Sequence, residues 1–327
     1  MTDSLKKKIL TLAQNDIEAI ETALKENLTP HLPLVKEIAG HILFAGGKRL
    51  RPLLMVLCCK LCGYTGTYDK TFSTIFEYLH AATLLHDDLI DEADMRRGRT
   101  VAHKIWDNAT VVLTGDFLLA RSLSIAADSN KPEVIQVVAQ ITEEMSQGEI
   151  QQLQRKGMLD LSEAEYMEII RRKTAVLFQG ACRISALISE ASKQQTNALA
   201  DYGLHLGMAF QMADDLLDYT QDSKSLGKLV GADLKEGKLT LPVIHSLSQA
   251  VGQDREKIEA IIQNPEFSET DFRALINYLN IYGGLSYTQE KAQDHANRAK
   301  LALNHFEASE TRRLLTHIAD YALHRKA

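Results

Sequence analysis

Helix-breaking residues are scarce in this 327-residue chain. Six prolines, at 30, 33, 52, 132, 242 and 265, leave long stretches in which apolar residues recur at helical spacing. That pattern predicts an all-α fold, with helices near 3–27, 33–44, 50–63, 70–91, 107–128, 132–155, 162–190, 194–220, 240–263, 269–282, 285–307 and 309–325; strand signals are nearly absent. Two starts are signposted: Pro132 stands at an early helical position, and Ser162-Glu163-Ala164-Glu165 fits a capping box. With 45% apolar residues the chain can bury one large core. No Pro/Gly/Ser-rich linker divides it, so residues 1–327 read as a single domain. The polar, glycine-bearing segments are few: 44–52, 91–100 and 221–242. Each adjoins a helix that carries clustered charge.

Composition removes several classes of function. A net charge of −6 argues against a nucleic-acid partner. No apolar stretch approaches the roughly 20 residues of a bilayer span, and the lysine-bearing start MTDSLKKKILTLAQND lacks the apolar block of a secretory signal. Both features point to a cytoplasmic protein without a transmembrane segment. Of the four cysteines, Cys59 and Cys62 form a CxxC pair, yet no second pair or nearby His pair completes a zinc site. Cys58 and Cys62 stand at helical spacing in an apolar run, as reduced structural thiols would.

The chemistry lies in local charge. Asp87 and Asp91, in DDLID, are four residues apart, which stacks both carboxylates on one helix face; Asp214 and Asp218, in DDLLD, repeat the spacing. Like charges so placed repel unless cations compensate them, and hard oxygen ligands of this kind suit Mg²⁺, which binds through one or two carboxylates plus substrate phosphates. A solvated helix face explains a single acidic pair equally well. Two copies, preceded by ATLLH and AFQMA, favour metal. Arg96, Arg97 and Arg99 surround Gly98 just after the first motif, and Lys48, Arg49 and Arg51 follow Gly46-Gly47. Guanidinium forks and close-approach glycines suit phosphate oxygens. Two basic loops beside two acidic motifs imply two diphosphate sites, one magnesium-bridged and completed by Lys173, Lys228 and Lys238, the other metal-free. No GxxxxGK[ST] segment supports a nucleotide P-loop.

Through GGKRLRP (46–52), LLHDDLIDEADMRRG (84–98), KTA (173–175), FQMADDLLD (210–218) and GADLKEGKLTLP (231–242), the chain resembles the trans-prenyl diphosphate synthases. Within them it is most similar to the bacterial octaprenyl-type enzymes that make quinone side chains. The resemblance runs from about residue 40 to 245. It implies a helical bundle around a central apolar cavity, a homodimer, three Mg²⁺ ions per active site, and two substrates: isopentenyl diphosphate and an allylic diphosphate, farnesyl or geranyl. Carried over motif by motif, Asp87 and Asp91 would bind Mg²⁺ from one wall and Asp214 from the other, with Asp88 and Asp218 in support. Arg96, Lys173, Thr174, Gln211, Lys228 and Lys238 would engage the allylic diphosphate. Lys48, Arg51, His80 and Arg97 would hold isopentenyl diphosphate, although a satisfied buried histidine remains an equal reading of His80. Lys173, Thr174 and Gln211 would also offer dipoles to an allylic cation. A terpene cyclase is disfavoured by the second DDxxD, and a non-catalytic subunit of a heteromeric synthase by the survival of every motif.

Product length should depend on what stands below Asp87, where Leu79, Ala82 and Thr83 lie one and two turns back along the helix. Small residues at 82 and 83 suggest a long product, though close helix packing would select them as well. Replacing Ala82 by Phe is expected to shorten the products resolved by chromatography of labelled isopentenyl diphosphate reactions; unaltered chain length would refute this placement of the tunnel.

Overall fold

Residues 2–220 and 231–324 are described by the structure, a computed structural model, and they are helical nearly throughout. In order the elements are α1 (Thr2–Leu12), α2 (Gln14–Asn27), α3 (Pro33–Leu43), α4 (Leu50–Leu61), α5 (Asp69–Ile90), α6 (Asn108–Ala127), α7 (Pro132–Arg155), α8 (Glu163–Ile170), α9 (Val176–Ile188) and α10 (Lys193–Thr220). Helices Ala232–Lys235, Leu241–Gln249, Gly252–Ile262, Glu269–Ile281, Gly284–Ala302 and Glu310–His324 follow. Capping chemistry sets many of the starts. Pro33 and Pro132 open α3 and α7, and Ser162 with Glu165 forms the expected capping box on α8.

Four departures from the sequence reading have local causes. The helix expected over 3–27 is interrupted at Ala13 alone (φ −104°, ψ 5°), and hydrogen bonds still cross the interruption. The helix expected over 240–263 stops at Ala250, because Ala250 and Val251 are extended and Gly252 has φ +57°. Within 162–190, residues Arg171–Ala175 form a π-helical turn between α8 and α9. After α5, Met95–Arg96 pairs antiparallel with Arg99–Thr100 across Arg97 and Gly98, both at positive φ (50° and 73°). Positive φ at both central residues matches the twist of a two-residue hairpin, and Gly98 supplies it without a side-chain clash.

Two apolar clusters organise the interior. One gathers α1–α7, α9, the first half of α10 and the C-terminal helix; the other gathers α8, the second half of α10 and helices between residues 241 and 292. At 28 residues, about 42 Å of helix, α10 belongs to both. Glycines let its backbone approach its neighbours: a Cβ on Gly203 would stand 2.5 Å from the Phe178 carbonyl oxygen, and one on Gly207 would stand 2.6 Å from Ala175 Cα. On the other side of the molecule α5 packs against α4 and α6.

The sequence reading understated α6. With 20 residues and a mean hydropathy of 1.4 it is long and apolar enough to cross a membrane by length and composition. It buries Val111, Leu118 and Ile125 and exposes Val112, Leu113 and Leu123. It therefore presents a second apolar face outside the core.

Candidate active site

Helix α5 ends on its own acids. Asp87 is in its last turn and Asp91 is the C-cap, so their charges face the partially negative end of the helix as well as each other. Burial pushes Asp87 up to about 6; Lys173 and Lys238 oppose that rise, and Glu149 and Asp91 add to it. Lys238 Nζ donates to Asp91 Oδ2 at 2.9 Å and to Glu236 at 2.6 Å. This ammonium arrives from 147 residues away and links the first motif to the segment that follows the second. Asp88 is buried and turned to Arg96, whose Nε and Nη2 reach its Oδ1 at 2.7 and 2.6 Å. Asp88 Oδ2 and Asp91 Oδ1 are buried without a hydrogen-bond partner.

Along α10 the second motif divides its acids between two tasks. Asp214 is exposed. Asp218 accepts from the backbone N–H groups of Ala232 and Asp233 at 3.2 and 3.3 Å and so caps the short helix there. Between them Asp215, with no role assigned from the sequence, turns inward. Its Oδ2 accepts from the buried Tyr166 hydroxyl at 2.5 Å and its Oδ1 from Gln211 Nε2 at 2.7 Å. Gln211 Oε1 in turn accepts from Thr174 Oγ1 at 2.8 Å. Burial raises Asp215 to about 7, against the pull of the Tyr166 and Gln211 hydrogen bonds, and raises Asp233 to about 8, with Asp215 and Asp218 adding to that rise. The chain of contacts fixes which way the Gln211 amide faces.

Lys173 and Thr174 ride on the π turn, a feature frequent at functional sites. The turn is held in a slot between two glycines: a Cβ on Gly148 of α7 would meet Lys173 N at 2.9 Å, and one on Gly207 would meet Ala175. The same face of α7 supplies its polar partners. Glu149 pairs with Lys173, Gln152 Oε1 accepts from Lys173 Nζ at 2.8 Å, and Glu144 accepts from Arg171 at 2.8 Å. A cavity of about 140 Å³ opens here, lined by Gln152, Tyr166, Lys173, Thr174, Gln211, Asp215, Asp233 and Lys238 among others. It is well below the roughly 300–1,000 Å³ of a drug-sized pocket.

The basic loops meet each other. Arg97 donates to the Gly46 carbonyl, and a Cβ on Gly47 would stand 3.2 Å from the Arg97 guanidinium. Arg51 lies over the Phe178 ring at 4.7 Å and Lys48 over Tyr321 at 5.6 Å. Burial, then Arg51, Arg97, Arg96 and Arg49, hold His80 well below the usual histidine range. Arg49, grouped with the phosphate-facing cations in the sequence, is instead buried against Glu21 and Glu77. Leu79 and Ala82 are fully enclosed in the core, and the half-buried Thr83 gives its hydroxyl proton to the His80 carbonyl at 2.9 Å. Lys228 lies outside the described residues.

Residues 32–279 match the family model described as polyprenyl synthetase. The chain belongs to the polyprenyl synthetase family. It is 35% identical over 318 residues to octaprenyl diphosphate synthase of Escherichia coli, covering 97% of this chain and 98% of that one. It is 35% identical over 326 residues to the geranyl-diphosphate-specific all-trans-nonaprenyl-diphosphate synthase of Rhodobacter capsulatus, covering 99% of each. Among solved structures, polyprenyl synthase of Caulobacter crescentus, complexed with calcium and isoprenyl diphosphate, superposes with a TM-score of 0.92 at 37% identity, covering 98% of each chain.

Whether a polyprenyl synthetase site of this make-up suits a divalent cation can be judged from its donors. Among the described residues no three His, Cys, Asp or Glu side chains converge on one point. The two acidic motifs stand on separate helices, α5 and α10, and on α5 Asp88 and Asp91 keep buried unpaired oxygens beside a desolvated Asp87. That set fits Mg²⁺ bound jointly with substrate phosphate, which supplies the missing oxygens. Residues that sequence reasoning did not assign are Asp215, Tyr166, Glu149 and Gln152; the last two lie in GEIQQLQ (148–154), on α7.

The glycine slot should be indispensable. Gly207→Ala forces α10 away from Ala175, and about 1–3 kcal/mol of stability is expected to go in chemical denaturation. The turnover number should fall by more than tenfold while far-UV dichroism stays helical. Undiminished turnover would show that the π turn need not be held this closely.

Proposed function

We propose that the chain condenses isopentenyl diphosphate repeatedly with an allylic diphosphate, farnesyl or geranyl, to give a long all-trans polyprenyl diphosphate of octaprenyl type, a quinone side-chain precursor. It is a prenyltransferase. One observation carries the reading: an acidic helix end, bridged by Lys238 and neighboured by Lys173, adjoins an arginine cluster around His80, with Arg96 shared between the two. The first arrangement suits a diphosphate that leaves with metal; the second suits a diphosphate that is only held.

Asp87, Asp91 and Asp214 would hold Mg²⁺, with Asp88 and Asp218 behind them and three ions in the full complex. The ions would supply Lewis-acid neutralisation of the departing diphosphate. Lys173, Lys238 and Arg96 would add positive charge around the same group, as the sequence motif also suggests for Lys228, and Thr174 with Gln211 would direct fixed dipoles at the allylic carbon. The C–O bond breaks with its electron pair going to diphosphate, and the double bond of isopentenyl diphosphate, held by Lys48, Arg51, His80 and Arg97, attacks the allylic cation. Loss of a proton to the released diphosphate restores an allylic product five carbons longer. Exclusion of water protects the cation, which the enclosed side chains around Leu79 and Ala82 support.

Diphosphate release should require a divalent cation and stop with EDTA. Asp91→Asn should lower the turnover number by roughly 10²–10³-fold, the scale seen when one electrostatic stabiliser is removed. Metal-independent release, or an Asp91→Asn enzyme of ordinary rate, would overturn the assignment.

The enzyme works in the cytoplasm as a homodimer. The exposed apolar face of α6, with Val112, Leu113 and Leu123, supports a second copy of the chain as its cover. Light scattering should return twice the chain mass for the native protein and the monomer mass for Leu113→Asp; an unchanged mass would exclude this face.

A further inference from the structure

Between α3 and α4 the chain runs through Phe44–Arg49, and a buried charge, Arg49, lies at the last of these residues. Arg49 is 4% exposed and sits in the left-handed region (φ 46°) as the N-cap of α4, a conformation that a branched or long side chain adopts only when its surroundings hold it. Every edge of its guanidinium is used. Nε donates to Glu21 Oε1 of α2 at 2.5 Å, Nη1 to Glu77 Oε1 of α5 at 2.6 Å, and Nη2 to the carbonyl of Leu43, the last residue of α3, at 2.6 Å. The loop is also fastened at Gly46, whose carbonyl accepts from Arg97.

Lys48 and Arg51 flank Arg49 by one and two residues, and Glu77 lies one turn before His80 on α5. Three groups read above as isopentenyl diphosphate ligands are thus placed by what Arg49 grips. The grip also answers an electrostatic difficulty. Arg49, Arg51, Arg96 and Arg97 all crowd His80, and like charges this close spread a loop apart unless one of them is compensated. Glu21 and Glu77 compensate Arg49, and Glu77 also offsets the charge of Arg97.

We infer that Arg49, clamped by Glu21 and Glu77, is a positioning residue that sets the affinity for isopentenyl diphosphate and does not itself touch phosphate. The inference rests on the substrate reading of the preceding subsection. It gives α2 a part in substrate affinity, although Glu21 lies outside the residues matched by the family model.

Glu21→Gln tests it, because the Glu21 side chain is 34% exposed and an amide oxygen in its place can still accept from Arg49 Nε while the compensating charge is lost. Steady-state kinetics with farnesyl diphosphate and Mg²⁺ should show KM for isopentenyl diphosphate raised about tenfold, with KM for farnesyl diphosphate and kcat changed by less than about twofold. Arg49→Lys, which keeps the charge and loses the fork, should move the same constant further in the same direction. If KM for isopentenyl diphosphate stays within twofold of the native value in Glu21→Gln, or if both KM values rise together, the clamp has no selective role and the inference is wrong. Should the unmutated protein convert neither diphosphate, the substrate reading itself fails, a result that separates the two.

Discussion

Carboxylates gathered at the end of a helix are an unfavourable arrangement, and the site is organised around that cost. Asp87, Asp88 and Asp91 meet the negative end of α5, where burial already disfavours the charges of Asp87 and Asp88. Each has drawn a cation, two of them from distant parts of the chain. Lys238 reaches Asp91 from beyond the second motif, Arg96 folds back onto Asp88, and Lys173 approaches Asp87 from the π turn. A metal-phosphate complex would substitute for internal ion pairs that already have the right signs, so binding it asks for modest rearrangement.

The backbone around these charges is held by close contact at glycine. Gly148 and Gly207 let α7 and α10 close on the turn Arg171–Ala175, and the polar face of α7 then reaches Arg171 and Lys173. Tyr166, Asp215, Gln211 and Thr174 complete the other side as one directed chain of hydrogen bonds. Such a network gives the Gln211 amide a single orientation, which matters more to an ionising site than the energy of any one bond. The two halves of the molecule are coupled through it, since α10 runs through both apolar clusters.

The family relationship and this geometry complement each other. Similarity over nearly the full length of octaprenyl and nonaprenyl synthases accounts for the chemistry expected of the motifs. The geometry separates side chains that the motifs lump together. Arg49 and Arg51 are neighbours in GGKRLRP, yet one is clamped by two carboxylates and the other lies over Phe178. Asp214 and Asp215 are neighbours in DDLLD, yet one is exposed and the other buried against Tyr166.

What the sequence determined by itself was whatever depends on near neighbours along the chain. Helical periodicity, proline starts and the Ser162–Glu165 cap are local, so nearly every helix was legible, and four-residue spacing was enough to stack Asp87 on Asp91. The interruptions were harder to see because a π turn and a helix break at Ala250 are decided by packing and by one glycine dihedral, not by periodicity. Tertiary structure alone decided which charges are spent on the fold. Lys238 and Asp91 are 147 residues apart, Tyr166 and Asp215 are 49, and Glu21, Arg49 and Glu77 are 28 apart in turn. No pattern of neighbours encodes such pairings. They follow from which helices pack together, and therefore from how burial removes water from each ionic group and leaves only a distant partner to replace it.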